Sequence, residues 1–279
     1  MLEFPRRPMR PGDRPLVKSI ITIAIVLVVL AAIYAVLQRF WPAIRGQKLY
    51  RPGFFTDLGY WFLSPLINRG FSQIVVIAAL IPFALALGVP MQQLAEGWGP
   101  VGAQPLWLQA IGIILIGDFV GYWVHRYTHQ GWWWRVHAVH HSSPQLDWLA
   151  AARVHPFNDA LGAVTRVVPL IAMGFAPIAV AGVLPFFTLF AITLHANLNW
   201  DYGPLRAVIA SPRFHRWHHT SAEEGRDKNF SGLLPIWDIL FGTYYMPKGV
   251  EPQAFGVSDP VPAGIVGQMA YPFRRSPAA

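Results

Sequence analysis

Residues 19–37 read SIITIAIVLVVLAAIYAVL, nineteen positions without a charge. At 1.5 Å per residue a helix of this length covers about 28 Å, close to the roughly 30 Å hydrocarbon core of a bilayer. The run is apolar on every face, so it predicts a membrane span rather than an amphipathic surface helix. The stretch before it, MLEFPRRPMRPGDRPLVK, is basic, but the apolar run continues to about Leu37 without a small-residue cleavage site. The segment therefore reads as retained, not as a removed signal peptide.

Outward from this run the same character recurs. Phe71 to Gly88 predicts a second span, and Leu106 to about His129 a third, apolar at its start and polar at its end. Leu161 to about Asn197 is long enough for a helical hairpin, with Pro169, Pro177 and Pro185 interrupting it. Residues 41–71 are mixed, and FFTDLGYWFLSPLI (54–67) is expected to lie at the interface, dip into the membrane or add a crossing. The chain of 279 residues is 54% hydrophobic and 13% charged, well below the roughly one quarter of a soluble domain. The fold class expected is an all-α integral membrane protein, with about four transmembrane helices and a cytosolic helical cap. Its parts are a basic tail (1–17), an N-terminal membrane region (18–105), a catalytic region with hairpin and cap (106–246) and a Pro/Gly-rich irregular tail (247–279).

Charge sets the expected orientation. Residues 89–105 contain no Lys or Arg, whereas Arg126, Arg135, Arg153, Arg213 and Arg216 follow the third helix. The positive-inside rule puts the latter side in the cytoplasm. This leaves the basic N-terminal tail outside, against the rule, if the first segment is a simple span; either residues 52–70 add a crossing or re-entrant piece or the tail is translocated. The net charge of +8 is then a basic membrane face, not a nucleic-acid surface. The chain has no cysteine, which excludes disulfides, iron–sulfur clusters and thiolate chemistry, so a protein-bound metal must use nitrogen or oxygen ligands.

All ten histidines lie between positions 125 and 219. His125 and His129 stand in HRYTH, His137, His140 and His141 in HAVHH, and His215, His218 and His219 in HRWHH. His155 and His195 stand alone. Spacings of three and four place side chains on one helical face, so each box can aim at one site. Eight imidazoles exceed the positions of a single ion and suit two. A lone HxxxH is more often a packed or surface pair. Two HxxHH boxes with HxxxH, in a chain lacking cysteine, form a much more specific pattern. Unactivated C–H bonds yield to redox metals and not to side-chain acids or bases, so the expected chemistry is oxidation.

HRYTH, HAVHH and HRWHH resemble the three histidine boxes of the fatty acid hydroxylase / sterol desaturase superfamily. RVHPFND (153–159) and DKNFSGLLPIWDILFGTYYMP (227–247) resemble its other segments. The resemblance covers roughly residues 50–247. It implies a dimetal site under a cytosolic cap and oxygen-dependent hydroxylation, desaturation or ether-lipid cleavage of fatty acyl, sterol or alkylglycerol lipids. It implies His125, His129, His137, His140, His141, His215, His218 and His219 as catalytic metal ligands, with His195 as a further one. Some members carry a second histidine four residues after that position, where this chain has Asn199. The metals implied are two iron ions, although zinc would fit the same imidazoles, with dioxygen as co-substrate. No nucleotide- or flavin-binding motif is visible, so electrons would come from a separate donor of cytochrome b5-like or ferredoxin type.

Around the boxes, Asp118 lies two helical turns before His125 and is expected to orient a histidine ring, or else to bond another helix. Asp159 and Asn197 are candidates for the same role. His155 is either a ligand, a ligand support or a loop cap. Trp132, Trp133 and Trp134 read as interfacial anchors, and Trp148 and Trp217 as tunnel walls or packing. Arg153, Arg213, Arg216 and Lys228 are expected to meet lipid headgroups or an acidic donor, or to be solvated. Asp227, Asn229 and Asp238 read as fold-fixing hydrogen-bond acceptors. A metal transporter and a zinc hydrolase are the competing classes. The first would spread histidines across the membrane midplane, and the second would show HExxH where this chain has HRYTH.

Overall fold

The computed structural model describes residues 15–274, so most of the basic N-terminal tail lies outside the described residues. Helix α1 (Pro15–Phe40) buries little besides Leu30 and Tyr34 and leaves its apolar sides exposed, as a lipid-facing helix does. The next helix corrects the boundary expected at Phe71. α2 (Phe54–Leu63) runs through a π-helical turn (Ser64–Asn68) into α3 (Arg69–Leu87), giving one continuous rod of 34 residues. Pro65 sits in the π turn, where the widened backbone accommodates the missing N–H. Such a rod spans about 51 Å and exceeds a bilayer, so its first turns stand clear of the hydrocarbon.

Short helices α4 (Met91–Glu96) and α5 (Gly99–Gly102) occupy the loop that leads to α6 (Leu106–Thr128). α7 (Gly131–His141) follows after a tight break at Gln130. The hairpin appears as α8 (Pro156–Ala172) and α9 (Pro177–His195), joined by residues 173–176. α1, the α2–α3 rod, α6 and α9 are long and apolar enough to cross a membrane. α3 packs on α8, and α6 packs on both α8 and α9. Ile113, Leu170, Phe175 and Val180 form the core at the end of the bundle away from the histidines. A second core joins α1 to α9 through Tyr34, Trp148, Ile192 and Leu198.

The C-terminal ends of α1, α6 and α9 meet at one end of the bundle. Pro42 pairs with Leu198, and the Ala43 N–H donates to Asn197 O at 3.3 Å. Because residues 54–68 run directly into α3, they add no separate crossing, and the start of α1 lies at the opposite end from the histidines. α10 (Pro212–His218), α11 (Ile236–Leu240) and the loops between them cover the histidine end.

Residues 247–264 are irregular, in keeping with their Pro/Gly content, and the stretch is tied to the rest of the chain. Ser221 N–H and Thr220 Oγ1 both donate to Ala254 O, at 2.9 and 3.1 Å. Gln268, in α12 (Ile265–Ala270), is fully buried, and Tyr271 packs against Tyr60 and Ala138. A strap held by scattered backbone bonds has no hydrophobic period, so its packing leaves no pattern in the sequence.

Candidate metal centre

The histidines divide into two groups whose ring nitrogens lie within 4.8 Å of one another. His125, His129, His137, His141 and His218 form one, and His140, His195, His215 and His219 the other. The division cuts across the boxes and corrects the expectation that each aims at one site. In HAVHH the pair four apart, His137 and His141, joins the first group while His140 joins the second. In HRWHH the pair His215 and His219 joins the second while His218 joins the first. A helix turns about 100° per residue, so positions i+3 and i+4 flank position i on opposite sides, and each short helix serves two sites.

Hydrogen bonding fixes the rings. Nδ1–H of His125 donates to Phe230 O (2.7 Å), His218 to Lys228 O (2.8 Å), His140 to Arg153 O (3.0 Å) and His195 to Ala191 O (2.7 Å). His137 donates to Asn158 Oδ1 (2.9 Å) and His129 to Asp227 Oδ1 (3.0 Å). With the proton held on Nδ1, a neutral ring presents a bare lone pair at Nε2. Those lone pairs face each other: Nε2 of His137 lies 3.1 Å from that of His125 and 3.2 Å from that of His141. Nε2 of His195 lies 3.1 Å from those of His140 and His215. Between His125 and His137, and between His140 and His195, both protons are held on Nδ1 and none remains to join the facing nitrogens, while the buried Nε2 of His129 and Nδ1 of His215 have no hydrogen-bond partner. Adjacent nitrogens about 2.1 Å from one shared ion would have this separation, so both groups fit a bound cation.

Burial also keeps these rings neutral. His137, His140, His141, His215, His218 and His219 lie well below the ordinary imidazole value, first through desolvation and then through repulsion by neighbouring histidines. His129 is lowered less, because Asp227 offsets desolvation. Neutral imidazole is the form that binds metal.

Of the surrounding residues, Asp118, Asp159 and Asn197 bond no histidine, whereas Asn229 and Asp238 take the fold-fixing role and His155 the capping role that the sequence offered. Asp118 accepts from Leu233 N–H, Leu234 N–H and Trp237 Nε1–H at 2.8–3.1 Å rather than from a histidine. It anchors the segment whose carbonyls hold His125 and His218. Asp238 clamps the same segment through Phe230 N–H and Ser231 N–H, and Asn229, at φ 59, bonds Phe214 and Tyr245. His155 stands outside both groups, capping α8 at Phe157 N–H and donating to Met269 O. The carboxyl of Asp159 faces Arg166, while its neighbour Asn158 holds His137. Asn197 brackets Ile44, accepting from its N–H and donating to its carbonyl. The Asn199 backbone N–H donates to Trp41 O. Asn158 and Asp227 are the two histidine partners that the spacing of the boxes did not reveal. Both lie inside RVHPFND and DKNFSG, the segments flanking the boxes.

Trp132 and Trp134 donate to Pro272 O and Asp259 Oδ2 of the strap, so they bind the C-terminal segment as well as lining the exterior. Trp148 stacks on Tyr34 and Trp217 packs against Tyr245. Nor are the arginines a free basic face. Arg153 is buried against Asp57 at 2.6 Å, Arg213 pairs with Asp201 and Glu251, and Arg216 is buried over Phe255.

The fatty acid hydroxylase family model matches residues 110–243. The ornithine lipid hydroxylase of Rhizobium tropici is 29% identical over 248 residues, 88% of this chain and 73% of that protein. The alkylglycerol monooxygenases of Danio rerio and Homo sapiens are each 32% identical, over 56% and 52% of this chain. The chain spans only about a third of their length, 33% and 32%. No solved structure gives a significant match. These relatives are hydroxylases and monooxygenases, and residues 110–243, which contain all ten histidines, are the part of this chain that matches the fatty acid hydroxylase family.

Proposed function

We propose that the chain is an oxygen-dependent lipid hydroxylase in which His125, His129, His137, His141 and His218 hold one iron and His140, His195, His215 and His219 the other. The observation carrying this reading is the convergence of ring nitrogens in two adjoining groups, with the Nδ1 protons of six of the nine rings committed elsewhere. Two bound irons would supply the reduction of dioxygen and the oxidation of a substrate C–H bond. The chain's own contribution is placement. Phe230, Lys228, Arg153 and Ala191 carbonyls, with Asn158 and Asp227, orient the rings and raise their basicity. Electrons would come from a separate cytochrome b5-like or ferredoxin-type protein.

Both groups lie at one end of the membrane helices and not at their middle, which favours a cap-bound centre over a transport path. That end carries Arg39, Arg45, Lys48 and Arg51, whereas residues 89–105 at the far end carry no Lys or Arg. By the positive-inside rule these loops favour the cytoplasm for the histidine end, with Lys18 at the start of α1 then lying on the opposite side. The relative matched over most of both chains is an ornithine lipid hydroxylase, so an ornithine-containing membrane lipid is the first substrate to test.

The test compares total lipids, by high-resolution mass spectrometry, from cells making this protein and cells making His140→Ala at equal abundance. A lipid gaining one oxygen only with the intact protein supports hydroxylation and names the substrate. Loss of two hydrogens would instead assign a desaturase, and loss of an ether-linked chain an alkylglycerol-type monooxygenase. Matching profiles, in a host shown to supply a working donor and these lipids, would overturn the oxidase reading.

A further inference from the structure

A cavity of about 670 Å³ lies between the last turns of α1 and the loop of residues 42–49, apart from the histidine centre. Its volume falls in the range of small-molecule and lipid sites, roughly 300–1,000 Å³. One side is apolar, built from Ala31, Ala35 and Trp148, and the other carries Arg39, Arg45 and Lys48. All three cations are exposed, and none forms a salt bridge with a described residue. The one carboxylate at the cavity, Asp147, is already committed, with its two oxygens 2.7 and 2.5 Å from the Arg51 guanidinium. The net field at the mouth is therefore positive.

The loop is built rather than loose. Asn197 brackets Ile44, Gln47 Nε2–H donates to Leu146 O at 2.9 Å, and Gln38 Oε1 accepts from Asn197 N–H at 2.9 Å. Exposed Phe40 and Trp41 mark the level where α1 leaves the hydrocarbon, since aromatic side chains settle at the membrane interface. An apolar wall below three unpaired cations at that level matches one ligand chemistry: an acyl chain ending in a phosphate or other anionic headgroup. Solvated cations alone would satisfy the charge rule without an adjoining apolar wall.

We propose that this cavity is a binding site for an anionic phospholipid, with its headgroup against Arg39, Arg45 and Lys48 and its first chain segment against Ala31 and Ala35. The site is tied to the histidine centre through Asn197, two residues after His195, so its occupant braces the segment that carries His195.

The test is native mass spectrometry of the full-length protein after equilibration with an equimolar mixture of phosphatidylglycerol and phosphatidylcholine in detergent. The intact protein is expected to retain one phosphatidylglycerol with a preference of at least about tenfold. The triple variant Arg39→Gln/Arg45→Gln/Lys48→Gln should lose it, while Arg69→Gln/Arg226→Gln/Lys248→Gln, which removes exposed charges elsewhere, should keep it. Ala35→Trp, which fills the apolar side and keeps every charge, should also lose it. It carries the test if the triple variant fails to fold. Equal retention of the two lipids, or retention by both site variants, overturns the proposal. Displacement of the lipid by inorganic phosphate at comparable concentration would make the site one for a free anion and overturn the lipid assignment.

Discussion

The Nδ1–H of His137 donates to Asn158 Oδ1 across 2.9 Å, joining the HAVHH helix to the first turn of α8. Removing the acceptor frees the ring to rotate and lets its proton move to Nε2. Asn158→Ala is expected to weaken metal binding about 10- to 100-fold, and Asn158→Asp to restore most of it. Metal content after graded exposure to a chelator measures this. Unchanged retention in Asn158→Ala would remove this residue from the centre.

The interleaved boxes separate the two positions by mutation. His140→Ala and His137→Ala lie three residues apart on one helix but in different groups. Each should lower metal content from about two to about one per chain, with the other position still filled. Elemental analysis of both purified variants decides it. Loss of all metal from either would mean that the positions fill only together.

Burial holds His129, His137, His140, His141, His215, His218 and His219 below the ordinary imidazole value. Their unfolded values are near 6.5, roughly. Below that pH the unfolded chain takes up protons that the folded chain refuses, so stability falls as pH drops toward the depressed folded values. Above it neither state protonates and the full stability is present. Each ring contributes a slope of about 1.4 kcal/mol per pH unit within its window. Chelator-treated protein should therefore lose Tm steeply between about pH 6.5 and pH 5, and a flat profile would contradict the burial of neutral rings.

Asp118→Asn replaces an acceptor of three N–H groups with an amide whose own NH2 opposes at least one of them. A loss of about 2–4 kcal/mol is expected, because buried donors are left unsatisfied. Metal retention should fall with it, since residues 228–234 carry the carbonyls that hold His218 and His125. Thermal melting paired with metal analysis tests both. A stable variant with normal metal would show that Asp118 is dispensable to the seat.

Gly174→Ala offers the contrast. Gly174 has φ +99, and a Cβ there would lie 2.2 Å from Trp98 O. A cost of about 2 kcal/mol or more is expected from backbone strain and collision. The lesion sits at the far end of the bundle, so Tm should drop while metal per folded chain stays at the wild-type level.

The sequence was most legible where one physical requirement controls a whole segment. Spans follow from apolar runs, and the histidine ends of α6 and α9 follow from the abrupt change at Asp118–His129 and Leu194–Asn197. It was less legible where a side chain's partner is set by three-dimensional folding. Asp118 sits on the expected helix face, but residues 233–237 fold back to claim its oxygens first. Asn158 and Asp227 lie next to chemically more conspicuous neighbours, His155 and the last box. The sorting of His140 away from His137 needs the positions of α9 and α10, which no spacing supplies.

That sorting has a consequence for the order of biosynthesis. By the time His141 has been made, the first group has four of its five members, whereas the second has only His140. His195 follows more than fifty residues later, and His215 and His219 arrive only after both arms of the membrane hairpin have been synthesised. At roughly 5–20 residues per second the two groups reach completion almost together, as the last box is made. Neither position has its full complement until HRWHH has been made, so both would complete their ligand sets at the same late step.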